Sequence, residues 1–351
     1  MEILKGTVCK RISLLIVLLG TLMSSQGQDI QFSQFYVAQT YVNPAFVGGH
    51  HHGRATLHSR IQWPKLQAKY YTYMVTADEY FKLKRMGAGI YILHDVQGGG
   101  IVKSTKVAGQ YSYEFNISKE WVVRAGLEIG LTSQFADLDN LVFLDQIDDR
   151  GDVSGGNGLN GTNQKLYPDI STGGLIYSHQ FWFGASFHHI NSPNKSHIGE
   201  TSTLPMKSTF ITGYKFFLKK EASYVRNASS WKEYSITPTA HFKMQGSSKQ
   251  FDLGVYTRLD HIIFGGWYRG IPLYNEENNP FKNHESIVLL GGMTYKGIFF
   301  NYSYDIHLSS LTRSGTGGAH ELSLTFVSHP RHHNKSTKGR RRLPCPKYIS
   351  N

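Results

Sequence analysis

The sequence predicts an all-β protein, a transmembrane antiparallel up-and-down β-barrel of about 14 strands. Three observations lead to this fold class. The chain opens with an export signal, the region from His52 to His329 alternates apolar with polar residues, and the connections between the alternating segments are long and short in turn.

The first 27 residues read as a secretory signal peptide. Lys5, Lys10 and Arg11 precede an apolar run over 12–23, and small residues follow at 25–27, as in a cleaved leader. The run is much shorter than the roughly 20 residues that a membrane-spanning helix needs. We therefore expect residues 1–27 to be removed and the mature chain to begin at Gln28. Because no later apolar run is longer, a membrane-embedded mature chain would have to be a barrel.

About fourteen segments, from 53–62 to 318–328, have a period of two, which places alternate side chains on opposite faces of a strand. In an outer-membrane barrel the apolar face points to lipid and the polar face lines the interior. An even strand number predicts that both termini are periplasmic. The alternative that this pattern leaves open is a secreted, soluble all-β domain.

The connections test the orientation, because outer-membrane barrels have long external loops and short periplasmic turns. The three longest polar inserts, 136–168, 191–207 and 270–284, all fall on the predicted external side. One connection, 219–233, is long on the periplasmic side. Either the flanking strands extend beyond the membrane there, or the strand register is off by one.

The mature chain divides into a periplasmic lead-in over 28–51, a barrel over 52–329 and a basic periplasmic tail over 330–351. The formal net charge of +12 is concentrated in that tail, which holds seven of the basic residues. Between the signal peptide and the tail, positive and negative charges are nearly balanced, as in an ordinary solvated protein. We therefore expect no nucleic-acid partner.

Short motifs are spread along the whole mature chain. They are Gln28-Asp29-Ile30-Gln31-Phe32-Ser33-Gln34-Phe35-Tyr36, Val42-Asn43-Pro44-Ala45-Phe46-Val47-Gly48, Arg60-Ile61-Gln62-Trp63-Pro64, Pro168-Asp169, His188 with Asn191-Ser192-Pro193-Asn194, Tyr304-Asp305 with Ser309-Ser310-Leu311, Gly318-Ala319-His320-Glu321-Leu322-Ser323-Leu324 and Leu343-Pro344-Cys345-Pro346-Lys347-Tyr348. In this order and spacing the chain resembles the PorP/SprF family of type IX secretion membrane proteins.

The resemblance implies an outer-membrane, non-enzymatic component of type IX secretion. Relatives support export or surface attachment of particular cargo, including gliding adhesins, and associate with periplasmic components of the system. The implied partners are thus outer-membrane lipid, those components and the cargo. A different class of function, an outer-membrane channel or transporter for solutes or lipids, remains the alternative, since a barrel of this size can enclose a lumen.

Candidate site residues are few. An acidic loop with Asp145, Asp148, Asp149 and Asp152 is a weak calcium candidate, because it is rich in oxygen ligands but lacks the ordered spacing of a calcium-binding hand. The histidine groups 50–52, 188–189 and 332–333 are read as structural, since neighbours on a strand point to opposite faces. We expect no cofactor and no catalytic residue. His320 and Glu321 are expected to anchor a loop.

The tail supplies the one partner-binding hypothesis. Its basic residues and its lone cysteine could bind a periplasmic component of the secretion machinery. The residues concerned are Arg340, Arg341, Arg342, Cys345 and Lys347.

Overall fold

The protein forms a closed antiparallel β-barrel of fourteen strands, as the sequence predicts. The computed structural model describes residues 29–50, 52–137, 163–197, 201–218, 233–270, 284–308 and 315–328. Each strand pairs with its neighbour in sequence, and β1 closes the barrel by pairing with the last strand, so that Thr56 lies opposite Thr325. No helix among the described residues is long and apolar enough to span a membrane.

The strands are β1 (Arg54–Gln62), β2 (Tyr70–Phe81), β3 (Met86–Gln97), β4 (Val102–Asn116), β5 (Val122–Ala136), β6 (Gln164–Tyr177), β7 (Phe181–His188), β8 (Lys207–Tyr214), β9 (Phe216–Phe217), β10 (Tyr234–Gln245), β11 (Ser248–Leu259), β12 (Ile262–Gly270), β13 (His284–Tyr295), β14 (Ile298–His307) and β15 (Ala319–Val327). Two short helical elements precede them, α1 (Gln39–Val42) and a 3₁₀ turn (Pro44–Phe46).

The pieces β8 and β9 are one strand interrupted by a proline on its neighbour. Gly213 pairs with Thr239 and Phe216 with Ile236, so the register against β10 is the same on both sides of the break. Between them lies Pro238, which has no N–H to donate to the ladder. Fifteen ladder segments therefore make fourteen strands across the membrane.

The two faces of the wall follow the predicted alternation. In β2, Tyr73 and Val75 face outward and are about half exposed (47% and 49%), whereas Thr72 and Asp78 face inward and are buried. An outer apolar face suits lipid, and an inner polar face needs partners inside the barrel.

The connections alternate as predicted with two exceptions, the short turn at 246–247 and the long connection at 219–233. The short turns at 82–85, 260–261 and 296–297 lie at one end, which we call the short-turn end, and the inserts at 137–163 and 189–206 leave from the other, the long-loop end. Strands β8 to β10 pair in sequence order around 219–233, which rules out a misplaced strand there. Residues 219–232 lie outside the described chain.

Pro168 was expected to end the polar insert 136–168, but it lies inside β6, opposite Leu131. The ladder between β6 and β7 reaches only Thr172 on β6, so Pro168 has a strand neighbour on one side alone. A missing N–H costs least at such an edge position. The Asn191 side chain continues the contact beyond the ladder, donating to the carbonyl of Pro168 and accepting from the amide of Ile170.

The predicted periplasmic lead-in is the part of the fold that needs correction. Its described part, residues 29–50, is not a separate element ahead of the barrel but lies inside it, with Ala45 and Val47 fully buried. We call residues 29–50 the lumen segment. Its mixture of aromatic and polar side chains matches an interior that is itself part apolar and part charged.

Candidate functional site

The lumen segment runs from one end of the barrel interior to the other. Asp29 contacts residues near the long-loop end, donating its backbone amide to Gln245 Oε1 at 3.0 Å. The segment ends near the short-turn end, where the amide of Gly48 donates to Asp78 Oδ2 at 2.9 Å. Gly48 has a left-handed backbone (φ 66°) and packs against the Cα of Gly87. The start of the described chain and the start of β1 are therefore at opposite ends of the barrel.

Near its N-terminus the lumen segment is held by buried carboxylates. Glu321 accepts the amides of Ser33 and Gln34 through its two oxygens, at 2.7 and 3.0 Å. The hydroxyl of Ser33 donates to Asp305 Oδ2 at 2.6 Å. A carboxylate that accepts amide hydrogen bonds in a buried site makes stronger contacts than a neutral acceptor would.

Two arginines balance these carboxylates. Arg60 donates to Asp305 at 2.8 Å, to Glu321 at 3.1 Å and to the hydroxyl of Ser33 at 2.8 Å. Arg269 bridges Asp305 and Asp252, each at 3.2 Å. Because a buried charge is costly unless it is paired and hydrogen-bonded, the network holds only while all of these groups are present.

Aromatic side chains fill the middle of the lumen. Phe35 lies 5.2 Å from Trp267, and Tyr36 stacks on Tyr256 at 5.7 Å between ring centroids. All four rings are buried among the described residues. The segment therefore adds apolar packing to the polar contacts, as in a protein core.

Toward the short-turn end the segment and the wall each bind backbone groups of the other. Asn43 donates to the carbonyls of Gly174 and Ala185, at 3.0 and 3.1 Å, and caps the 3₁₀ turn by accepting the amide of Ala45 at 2.8 Å. Arg124, which is paired with Glu114 at 2.9 Å, also donates to the carbonyls of Ala45 and Val47. These hydrogen bonds are made to backbone carbonyls and amides, so the segment must keep one backbone conformation to form them all.

At the long-loop end Asp29 is held by two cations. His189 lies 2.7 Å from Asp29 and 2.9 Å from Asp169, and Lys207 lies 3.2 Å from Asp29. Burial lowers the pKa of His189, but the two carboxylates outweigh it and raise that pKa to about 9. Burial raises the pKa of Asp29, but Lys207 and His189 outweigh it and hold that pKa well below its usual range. Both groups therefore carry charge at neutral pH.

The site residues named from sequence are not among those that the structure describes. The acidic loop residues Asp145, Asp148, Asp149 and Asp152 lie outside the described residues, and so do the tail residues Arg340, Arg341, Arg342, Cys345 and Lys347. Both hypotheses stay predictions. Within the described ranges no group of three or more histidine, cysteine or acidic residues is placed to hold a metal.

The histidines and Glu321 have more specific roles than the sequence suggests. His188 contacts the carbonyl of Val42 at 3.1 Å and so binds the lumen segment from the wall. His50 belongs to the segment and contacts Gln39 within it at 2.7 Å. Glu321 was expected to anchor a loop and instead anchors this segment, while His320 lies on the outer face against the hydroxyl of Tyr302.

The interior network was missed by the sequence analysis, although most of its members belong to the motifs identified there. Arg60, Asp169 and Asp305 come from three separate motifs, and each contributes an inward-facing charge. The available sequence signal for the network was a charged residue at an inward-facing strand position with no oppositely charged residue nearby in the sequence.

Comparison with known proteins gives a family. Among solved structures the chain is similar to a FadL homologue from Pseudomonas aeruginosa (11% identity, 82% of this chain and 93% of that chain, TM-score 0.43). It is similar to the toluene transporter TodX of Pseudomonas putida (11% identity, 86% and 94%, TM-score 0.43) and to CdiB from Acinetobacter baumannii (7% identity, 79% and 60%, TM-score 0.39). No curated protein matches the chain.

A family model described as "Type IX secretion system membrane protein PorP/SprF" matches residues 24–326. The match covers the lumen segment and nearly all of the barrel. Together with the barrel fold, it indicates an outer-membrane location. The chain therefore belongs to the PorP/SprF family of type IX secretion system membrane proteins.

Proposed function

We propose that this protein is a membrane-embedded platform that supports export or surface attachment of specific cargo, such as gliding adhesins, by binding periplasmic components of the type IX system. It acts by binding and not by enzymatic catalysis. The observation that carries the proposal is the occupied lumen. The lumen segment takes up the space that a solute would need, and buried ion pairs hold it there.

The short-turn end is the proposed periplasmic face. Ser328, the last residue described after β15, donates its amide to the carbonyl of Gly53 at 2.8 Å, so the chain leaves the barrel toward the tail at this end. The tail carries the basic residues Arg340, Arg341 and Arg342. A basic segment suits an acidic partner surface, and such attraction raises association rates at low salt.

Deletion of 330–351 tests the tail. We expect the truncated protein to fold, as judged by its heat-modifiable migration on gels, but to recover fewer periplasmic secretion components in affinity purification and to reduce cargo in the secretome. Neutralising Asp145, Asp148, Asp149 and Asp152 is the matched control, because it changes charge in the predicted external loop. Unchanged partner recovery and cargo export after the tail deletion would refute the role of the tail.

Planar-bilayer recording separates this proposal from the transporter alternative. A platform with an occupied lumen should show little conductance, whereas a solute channel should show a robust open state. Saturable solute uptake by vesicles containing the intact protein would favour transport.

A further inference from the structure

A cavity of about 50 Å³ lies at the long-loop end, between the lumen segment and the wall formed by β8, β10 and β11. This exceeds the roughly 10–15 Å³ that one water molecule needs on the same measure, so the cavity can hold a small molecule or a few waters. Asp29, Gln31, Phe32 and Phe35 line it from the segment, and Lys207, Thr209, His241 and Lys243 line it from the wall.

Two of the lining side chains are buried without a hydrogen-bond partner. His241 is 2% exposed, and neither ring nitrogen makes a hydrogen bond among the described residues; its closest charged neighbour is Asp252, at 3.6 Å from Nδ1. The hydroxyl of Thr209 is likewise buried and has no described partner. Leaving such groups unsatisfied costs free energy, so a partner inside the cavity would stabilise both.

Two lysines beside them have donors to spare. Lys207 has one charged partner, Asp29 at 3.2 Å, and its ammonium lies over the ring of Tyr41 at 5.2 Å. Lys243 lies 3.4 Å from Asp252 and, in the amide orientation of Gln31 that satisfies its neighbours, 3.0 Å from the oxygen of that side chain. An ammonium group has three donors, so each lysine can reach a further acceptor.

The strand register brings these donors together. On adjacent strands Lys243 pairs with Thr209 on one side and with Gln250 on the other, while Lys207 pairs with Gln245. The two lysine ammonium groups and the Thr209 hydroxyl therefore face the cavity together with the carboxylate of Asp29, whose charge His189 and Lys207 already offset. An occupant rich in acceptors fits the donors that remain. A carboxylate offers two acceptor oxygens and one negative charge in a volume of this size.

We propose that this cavity binds the carboxylate of a small acid, with Lys243 and Lys207 supplying charge and Thr209 and His241 supplying the remaining hydrogen bonds. The site is at the opposite end of the barrel from the proposed periplasmic face and does not depend on it. Its occupant also contacts the lumen segment, so binding stabilises the segment in place.

Thermal unfolding of the mature protein in detergent micelles tests the proposal. Acetate and formate should raise the unfolding midpoint in a saturable way relative to chloride at equal ionic strength, and benzoate, which is too large, should not. Lys243→Met should weaken the fitted acetate affinity about tenfold or more, since a charged hydrogen bond is lost. Thr209→Val should weaken it less. Lys249→Met is the matched control, because Lys249 is exposed and lies outside the cavity.

A second measurement covers the case in which Lys243→Met does not fold. In protein with ¹⁵N-labelled histidine rings, the His241 resonance, assigned through His241→Gln, should shift as acetate is added. No saturable shift of that resonance would overturn the proposal. It would be overturned equally by a thermal effect that chloride or benzoate reproduces, or that Lys249→Met removes.

Discussion

Gly173 and Gly174 are adjacent residues of β6, and substitution of each by alanine should affect the stability of the protein differently. A Cβ on Gly173 would point into the lumen, 2.1 Å from Asn43 Oδ1 and 2.9 Å from its Cγ. A Cβ on Gly174 would meet nothing within 4 Å. Asn43 cannot turn away freely, because its side chain makes three hydrogen bonds at once.

Gly173→Ala must therefore displace Asn43. Losing hydrogen bonds worth about 1 kcal/mol each, or accepting an overpacked contact that costs about 1–3 kcal/mol, gives an expected loss of about 2–3 kcal/mol in the free energy of unfolding. Gly174→Ala should leave stability unchanged, or raise it by up to about 1 kcal/mol by restricting the unfolded chain. Urea titration of the protein in lipid vesicles measures both.

A double-mutant cycle with Asn43→Ala tests the stated cause. In that background the clashing atoms are absent, and only Pro44 Cδ remains, at 3.2 Å from the added Cβ. The cost of Gly173→Ala should then fall below about 0.5 kcal/mol, which gives a coupling energy of about 2 kcal/mol. Equal costs in both backgrounds, or indistinguishable effects of the two glycine substitutions, would refute the packing of the lumen segment described here.

Three further outcomes are expected. Deletion of 29–47 should open the lumen and raise single-channel conductance in planar bilayers well above that of the intact protein; equal conductance would contradict an occluding segment. Arg60→Met should lower the free energy of unfolding by about 3–5 kcal/mol, because it leaves buried Glu321 without its arginine and leaves Asp305 with Arg269 alone. Arg85→Met, at an exposed turn, should change it by less than about 0.5 kcal/mol. The raised pKa of His189 contributes stability that is complete below the unfolded pKa of about 6.5 and is lost as pH rises through about 9. Urea unfolding should therefore show a free energy of unfolding that falls from pH 7 to 10, and the fall should be smaller in Asp29→Asn. Parallel pH profiles for the two proteins would count against the Asp29–His189 pair.

The wall of the barrel could be predicted from sequence because its signal is local. The alternation over Val102–Asn116 reads directly as one strand, and a short turn such as 260–261 marks its own boundaries. The occupied interior has no such local signal. Glu321 and Ser33 meet across 288 positions, and neither residue indicates the other until the strands are arranged in a closed ring.

The lead-in was misplaced for a related reason. Its Asn43-Pro44 pair does fix the local backbone, since Asn43 caps the 3₁₀ turn that follows. A fixed backbone, however, does not indicate whether the segment lies inside or outside the barrel. That is decided by Arg124 and by wall glycines such as Gly126, where an added Cβ would lie 2.2 Å from the backbone nitrogen of Ala45.

The contact between Ser33 and Glu321 bears on how the protein is assembled. Ser33 precedes the first strand, and Glu321 belongs to the strand that closes the ring against β1. The groups that hold the N-terminal end of the lumen segment are thus completed only when the last strand is added. A segment that already lies within the open sheet when its two edges join avoids being threaded through a closed ring. Closure of the barrel and completion of the contacts that hold the segment therefore depend on the same strand.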